Sequence, residues 1–265
     1  MHSVVVPAYN EETRLPGTLE AIRAHLSGRE YEVVVVDDGS SDRTAEVAGE
    51  FGCRVVRHPR NLGKGTAVRT GVLASRGDLI LVTDADLAAP VTELPKLEAA
   101  LERGADIAIG SREAPGARVR RASPGRKLAG RLFNLLVRLL TGLPYRDTQC
   151  GFKLFRGEAA RALFSRAACD GYCFEVEVLL LAREMGLRVE EVGVEWHDRP
   201  GSKVRLLRDG WRMFRELLEL KRRLPCARKM IPLGLPGVAG KVSPNPSLKE
   251  ADSQAAVSLW SGKRL

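Results

Sequence analysis

Leu79 to Asp86 reads Leu-Ile-Leu-Val-Thr-Asp-Ala-Asp, an apolar run of strand type that closes in two carboxylates one residue apart. Side chains alternate along a strand, so Asp84 and Asp86 are expected to leave a sheet edge on the same side. Two hard oxygen donors side by side form half a site for Mg²⁺ or Mn²⁺, ions that complete their shell with water and substrate phosphates. The chemistry this suggests is the stabilisation of a departing diphosphate. Paired aspartates also cap helices and line solvated loops, so the pair takes its meaning from its surroundings.

Those surroundings repeat the pattern. Ser3 to Val6 is an apolar run followed by Pro7-Ala8-Tyr9-Asn10-Glu11, and Tyr31 to Val36 is another, followed by Asp37-Asp38-Gly39-Ser40. Tyr9 offers a ring to stack on, while Glu11 and Asp37 offer acceptors for an imide N–H or a ribose hydroxyl. Gly63-Lys64-Gly65 supplies bendable backbone and a cation suited to a diphosphate. It is not a Walker loop, because His58 stands where the first glycine belongs. Arg112, in Gly110-Ser111-Arg112, and Arg126 are candidate phosphate forks. Ser202-Lys203 follows Pro200-Gly201 in a loop of the kind that closes over phosphates. Asp147 is a polar residue in an apolar stretch and a candidate orienting carboxylate; Glu175 and Glu177 stand on opposite sides of a helix start, so at most one can face the site. Each of these has a plainer reading as a polar loop, a turn, a solvated arginine or a connector.

Strands and helices must bring these residues together. Leu15 to Leu26 carries a helical stripe, Thr44 to Phe51 and the stretch through Ala74 continue as helices, and Cys53 to Val56 is a short strand. After the central strand come a helix from about Val91 to Leu101 and a strand from Asp106 to Ile109. This alternation implies βαβ units and a Rossmann-like three-layer α/β/α fold with a largely parallel central sheet. Ligands of such sheets sit beyond the carboxyl ends of the strands, where Tyr9, Asn10, Glu11, Asp37, Asp38, Asp84 and Asp86 all fall, so all seven are expected to converge on one crevice. Further on, helices are expected at Glu158 to Phe164 and Phe174 to Met185, a strand at Val189 to Glu195, and a long basic helix at about Leu206 to Arg223. Residues 1–224 read as one domain, and 225–265, where Pro, Gly, Ser and charge replace periodicity, as a disordered or loosely docked tail.

Of the 265 residues 44% are apolar, yet no stretch reaches the roughly 18 to 20 apolar residues of a membrane span. The start of the chain has no basic segment followed by an apolar run, so no signal peptide and a cytoplasmic location are expected. Five scattered cysteines read as reduced thiols. A net charge of +9 calls for an anionic partner. Nucleic acid is not the expected one, since aromatic residues are only 5% of the chain and no helix-turn-helix, zinc-finger or RNP signature occurs. The basic amphipathic stretches Arg131 to Leu143 and Leu206 to Leu224 suit a membrane surface, or equally a core-facing helix with a solvated side.

Taken in order, Pro7-Ala8-Tyr9-Asn10-Glu11, Val36-Asp37-Asp38-Gly39-Ser40, Asn61-Leu62-Gly63-Lys64-Gly65, Asp84-Ala85-Asp86 and Gly110-Ser111-Arg112 resemble glycosyltransferase family 2. Arg146-Asp147-Thr148-Gln149-Cys150-Gly151-Phe152-Lys153 and Gly201-Ser202-Lys203 are similar to its dolichyl-phosphate glucosyltransferase branch, with the mannosyltransferases next nearest. The resemblance implies a GT-A fold, a UDP-sugar or GDP-sugar donor, Mg²⁺ or Mn²⁺, and a polyprenyl phosphate acceptor at the cytoplasmic membrane face. By motif match it implies that Pro7, Tyr9, Glu11 and Asp37 hold the nucleotide, joined by Gly63, Lys64, Asp84 and Ala85, and that Asp84 and Asp86 hold the metal. It implies too that Arg112 and Arg126 meet the acceptor phosphate, that Ser202 and Lys203 meet the donor diphosphate, and that Lys203 with Asp147 serves the chemistry. Ala88 stands where mannosyltransferase relatives often carry Gln near the metal, which counts against the mannose donor, and Glu175 stands where glucosyltransferase relatives more often carry Asp. The N-terminal spanning helix of many eukaryotic relatives is missing from this sequence, which implies peripheral attachment. A non-catalytic nucleotide-binding module at a membrane surface is the alternative of another class.

Overall fold

A computed structural model describes residues 1–120, 124–198 and 206–223. Its centre is a seven-stranded sheet made from β1 (His2–Ala8), β2 (Tyr31–Asp37), β3 (Arg54–Arg57), β4 (Leu79–Val82), β5 (Ile107–Ser111), β7 (Lys153–Arg156) and β8 (Val189–Gly193), in the order β3-β2-β1-β4-β7-β5-β8. Pairing is parallel except where β7 inserts antiparallel between β4 and β5. A separate two-stranded parallel sheet joins β6 (Arg118–Arg120) to β9 (Glu195–His197).

Strand alternation divides the valine runs between two cores. Val4, Val6, Val35 and Leu81 face one side, under α1 (Leu15–His25), α2 (Thr44–Glu50) and α4 (Leu94–Glu102). Val5, Val34, Val36, Ile80 and Val82 face the other, under α3 (Lys64–Ala74), α6 (Gly157–Phe164) and α7 (Phe174–Glu184), with α5 (Pro124–Thr141) and α8 (Leu206–Arg223) completing that layer. Burial on both faces explains why these strands read as continuous apolar runs. Helix α3 lies close on the sheet because Gly71 has no side chain: a Cβ there would stand 2.4 Å from Val5 Cγ1.

The expected three-layer, largely parallel architecture is present, with three differences. The central strand stops at Val82, where its register with β1 and with β7 ends, so Thr83 to Asp86 lie in the turn beyond the sheet. Strand alternation therefore does not explain the pairing of Asp84 and Asp86. The strand expected at Val189 to Glu195 is broken at Val194, whose neighbours join different sheets. Finally, β7 begins at Lys153, the last residue of the Arg146–Lys153 motif, where no strand was expected; it is four residues long, and Lys153 is charged yet 4% exposed. The proposed tail at 225–265 lies outside the described residues.

Phe155 on β7 is 1% exposed and meets Phe164 edge to face with ring centroids 5.8 Å apart. Phe155→Ala is expected to lower the unfolding free energy by about 3–5 kcal/mol, measured by urea denaturation. A loss under about 1 kcal/mol would show that this face of the sheet is not the packed core described here.

Candidate active site

The carboxyl ends of β1, β2 and β4 carry loops that are laced to one another. Asn10, at φ 53°, donates its amide to Ser40 Oγ at 2.9 Å and accepts the Ser41 amide on Oδ1 at 2.8 Å. The Glu11 amide donates to Thr44 Oγ1 at 2.8 Å. These bonds hold Tyr9 and Glu11 against the loop that follows β2, with Tyr9 left 39% exposed beside them. Asp37 is fully buried and accepts the Ser40 amide on Oδ1 at 2.9 Å. Arg57 Nε stands 3.0 Å from its Oδ2, near enough to pair charge but out of line, so among the described residues this oxygen accepts no hydrogen bond. A buried acceptor of that kind calls for a donor.

Asp38 is the residue that sequence reasoning undervalued. Its carboxylate accepts the amides of Leu62 and Gly63, each at 2.9 Å, and lies 2.7 Å from His58 Nδ1. The pin fixes the turn ahead of α3, where Gly63 adopts φ 102° and a Cβ would stand 2.3 Å from the Asp170 carbonyl. The doublet Asp37-Asp38 was the available signal: both were expected in the crevice, whereas Asp37 is buried with one oxygen left without a hydrogen bond and Asp38 holds the neighbouring loop.

From that fixed turn Lys64 reaches Asp84, with Nζ 2.7 Å from Oδ1, and lies 3.6 Å from Glu175 Oε1. Glu175 in turn pairs with Lys153 at 2.8 Å, both side chains buried. Burial alone would raise the Asp84 pKa, but Lys64, with help from Lys153 and Arg112, holds it below the ordinary carboxylate value. The Lys64 pKa is raised: burial opposes the charge, and Asp84 and Glu175 outweigh burial. Asp86 differs. Burial, then the charge of Asp84, push its pKa up, partly offset by the Ala88 amide on its Oδ1 at 3.0 Å and by Arg14, 4.0 Å away. The two aspartates thus feel one another although no strand aligns them. The turn does so instead: Leu87, at φ 45°, donates its amide to the Asp84 carbonyl at 3.2 Å, and Thr18 of α1 donates to the Ala85 carbonyl at 2.7 Å. Ala85 is a buried spacer. Arg14 also forks Glu11 at 2.6 and 2.5 Å, linking the loop after β1 to the aspartate turn.

A third part of the crevice follows β5. Arg112 makes a two-pronged contact with Asp147, Nε to Oδ2 at 2.7 Å and a terminal nitrogen to Oδ1 at 2.8 Å, and its backbone amide adds a bond at 3.0 Å. The guanidinium lies 5.0 Å from the centre of the Trp196 ring. Burial would raise the Asp147 pKa, yet Arg112 holds it below the ordinary value. Asp147 therefore orients Arg112 rather than standing ready as a base. Glu177 is turned away, accepting the amides of Ala168 and Cys169, so only Glu175 faces the crevice. Arg126 falls in the first turns of α5 with its side chain outside the described residues, and Ser202 and Lys203 lie outside them altogether.

The donor set fits a hard divalent cation. Among the described residues no cluster of three or more His, Cys, Asp and Glu surrounds a point, so a cation held by Asp84 and Asp86 would need further ligands from water or phosphate. Space beside them is kept by Gly151, where a Cβ would stand 2.2 Å from Asp84 Oδ2.

The largely parallel sheet thus carries, beyond its central strand, two aspartates, with Lys64 paired to Asp84, and the clamped Arg112 follows β5. The chain belongs to glycosyl transferase family 2, whose profile matches residues 3–164. Its curated relatives include dolichyl-phosphate beta-glucosyltransferases: one of Trichomonas vaginalis, 39% identical over 76% of this chain and 65% of that one, and the human protein, 38% identical over 83% of this chain and 75% of that one. The chain thus spans about two thirds of the Trichomonas relative's length. Among solved structures it is similar in fold to glucosyl-3-phosphoglycerate synthase of Mycobacterium tuberculosis in complex with Mn²⁺, UDP-glucose and phosphoglyceric acid, with a TM-score of 0.64 at 24% identity over 84% of this chain and 80% of that one. Mannosyl-3-phosphoglycerate synthase of Rubrobacter xylanophilus also has a TM-score of 0.64 at 24% identity, over 90% of this chain and 78% of that one.

Asp147→Asn leaves the half-buried Arg112 charge without its counterion and is expected to cost roughly 2 kcal/mol at pH 7. The folded pKa of Asp147 is depressed, so the pair stabilises above the unfolded value and its contribution is lost as pH falls through the folded one. The gap between wild type and variant is therefore expected to narrow below about pH 4 in urea melts. An equal gap at pH 7 and in acid would contradict the pairing.

Proposed function

We propose that this protein is an inverting, metal-dependent hexosyltransferase that moves glucose from UDP-glucose onto a polyprenyl phosphate, working peripherally at the cytoplasmic face of a membrane. The observation that carries it is the convergence of Lys64 and Asp84 at 2.7 Å beside the Arg112–Asp147 fork: a place for a departing diphosphate next to a place for a second phosphate. Support for the sugar and the acceptor comes from relatives named dolichyl-phosphate beta-glucosyltransferase, and support for UDP-glucose with Mn²⁺ from the fold neighbour that carries both. Among the described residues no helix is long and apolar enough to cross a membrane. Residues 1–224 would constitute the transferase domain.

Tyr9, Pro7, Glu11 and Asp37 would hold the nucleoside, the unsatisfied Asp37 oxygen accepting an imide N–H. Gly63, Lys64 and the Asp84-Ala85 turn would face the diphosphate. Asp84 and Asp86 would hold Mg²⁺ or Mn²⁺, which when bound offsets charge on the departing β-phosphate. Arg112, with Arg126, would grip the acceptor phosphate, and Ser202 and Lys203 would close over the donor. A phosphate monoester has its second pKa near about 6, so the acceptor is largely a dianion at pH 7 and needs positioning rather than a base. Its oxygen forms the new bond to the anomeric carbon as the bond to the UDP oxygen breaks, and this single displacement inverts the configuration. No described carboxylate has to take a proton.

UDP release from UDP-glucose in the presence of Mn²⁺ is expected to begin only when polyprenyl phosphate is added, followed by a coupled UDP assay. GDP-mannose should give at least about tenfold less product. Equal or faster turnover of GDP-mannose would overturn the donor, and no acceptor-dependent release with any nucleotide sugar would overturn the enzyme in favour of a binding module.

A further inference from the structure

The turn that carries Lys64 is walled by a loop from the other half of the chain. Between α6 and α7 the backbone runs so close to it that a Cβ on Gly63 would stand 2.3 Å from the Asp170 carbonyl, and one on Gly65 would stand 2.2 Å from the Cys169 carbonyl. The Gly65 amide donates to the Asp170 carbonyl at 2.8 Å. Thr66 Oγ1 and a terminal nitrogen of Arg69 donate to Asp170 Oδ1 at 2.6 and 3.2 Å, and Arg69 also donates to the Ala167 carbonyl at 3.0 Å. Gly63 and Gly65 therefore answer to this loop as well as to a phosphate.

The loop is fixed at both ends. Glu177 of α7 takes the amides of Ala168 and Cys169 at its near end. At its far end Glu216 of α8, 17% exposed, accepts the Cys173 amide on Oε2 at 3.3 Å and Arg212 Nε on Oε1 at 3.0 Å. Gly171 makes room for that carboxylate, since a Cβ there would stand 2.1 Å from Glu216 Oε1. The Cys173 thiol donates to the Met213 carbonyl at 3.1 Å. Helix α8 is itself anchored, with Leu217 fully buried and Leu220 2% exposed. A groove of about 190 Å³, lined among others by Asp170, Gly171, Arg212 and Glu219, lies between loop and helix. Polar bonds rather than close packing join the two there.

We infer that Glu216 is a positioning residue for the donor diphosphate: through the Gly171–Cys173 backbone it sets the Asp170 carbonyl from which the Gly65 amide, and with it Lys64, is hung. The inference deepens the reading above and rests on it only for what Lys64 meets; the link from α8 to the Lys64 turn stands on the geometry. A group that must face a diphosphate tolerates little displacement, and a shift on the order of 1 Å can cost about a hundredfold in rate. In the sequence Glu216 reads as an ordinary helical pair with Arg212, one turn before it. Only its second oxygen, turned inward to Cys173, shows the further role.

Glu216→Ala and Gly171→Ala attack this contact from its two sides, the new methyl at Gly171 displacing the carboxylate. Hydrogen exchange of the full chain without ligand is expected to run at least about tenfold faster at residues 63–69 in either variant, with β1 exchanging as in wild type. Glu216→Gln keeps an oxygen for the Cys173 amide and should hold exchange there to within about threefold of wild type. In the coupled UDP assay both alanine variants should raise the UDP-glucose KM at least about tenfold with the polyprenyl phosphate KM unchanged. The two combined should cost no more than the worse of them, as expected of one shared contact. Wild-type exchange at residues 63–69 in Glu216→Ala would overturn the link. Faster exchange in β1 as well, or an equal rise in both KM values, would show that Glu216 merely stabilises the fold. A donor KM at the wild-type value would overturn its role toward the diphosphate. If exchange responds as expected but wild type turns over no nucleotide sugar, the proposed reaction fails while the link stands.

Discussion

A line of alternating charge, Lys153, Glu175, Lys64 and Asp84, runs beneath the crevice, and the rest of the site depends on it. Its inner members are almost wholly buried, where a charge without a partner is costly and a paired one is held in place. Each member comes from a different element: β7, the start of α7, the start of α3 and the turn after β4. The line therefore ties both halves of the chain to one point in space. It also holds the pKa of the outermost group, Asp84, below the ordinary carboxylate value, so that this group stays ionised.

Around that line the fold assigns one restraint to each part. Asp38 fixes the turn that launches Lys64, Thr18 fixes the carbonyl between the two aspartates, and Asp147 fixes Arg112 against Trp196. Polar groups locked by bonds of their own need little reorganisation when charge develops beside them, the condition under which electrostatic stabilisation is most effective. Glycine serves the same end by absence: Gly151 leaves Asp84 its place, and Gly63 lets the backbone turn under the Asp170 carbonyl.

Much of this was legible in the sequence because parallel strands buried on both faces announce themselves as unbroken valine runs and end in the residues that line the crevice. Tyr9, Glu11, Asp37, Lys64, Asp84, Asp86 and Arg112 follow such runs, and the structure sets them at one end of one sheet. What escaped was whatever depends on partners distant in the chain. The strand at Lys153 was hidden by its own charge, which makes sense only beside Glu175. Asp147 read as an orienting carboxylate, but what it orients, Arg112, shows only in the two-pronged contact between them. Arg14 and Glu216 carry no motif; their worth lies in what they join. The pairing of Asp84 with Asp86 was inferred from strand alternation, whereas a turn with Leu87 at positive φ sets it.

The central claim is that Asp84 and Asp86 grip a divalent cation that in turn grips a nucleotide's diphosphate. Titrating Mn²⁺ into the protein with UDP present, followed by the electron paramagnetic resonance of the free ion, tests it without any turnover. Tight binding of one Mn²⁺ by wild type, falling at least about a hundredfold in Asp86→Ala with the urea midpoint unchanged, is the result the account predicts. Equal binding by the two proteins would contradict it.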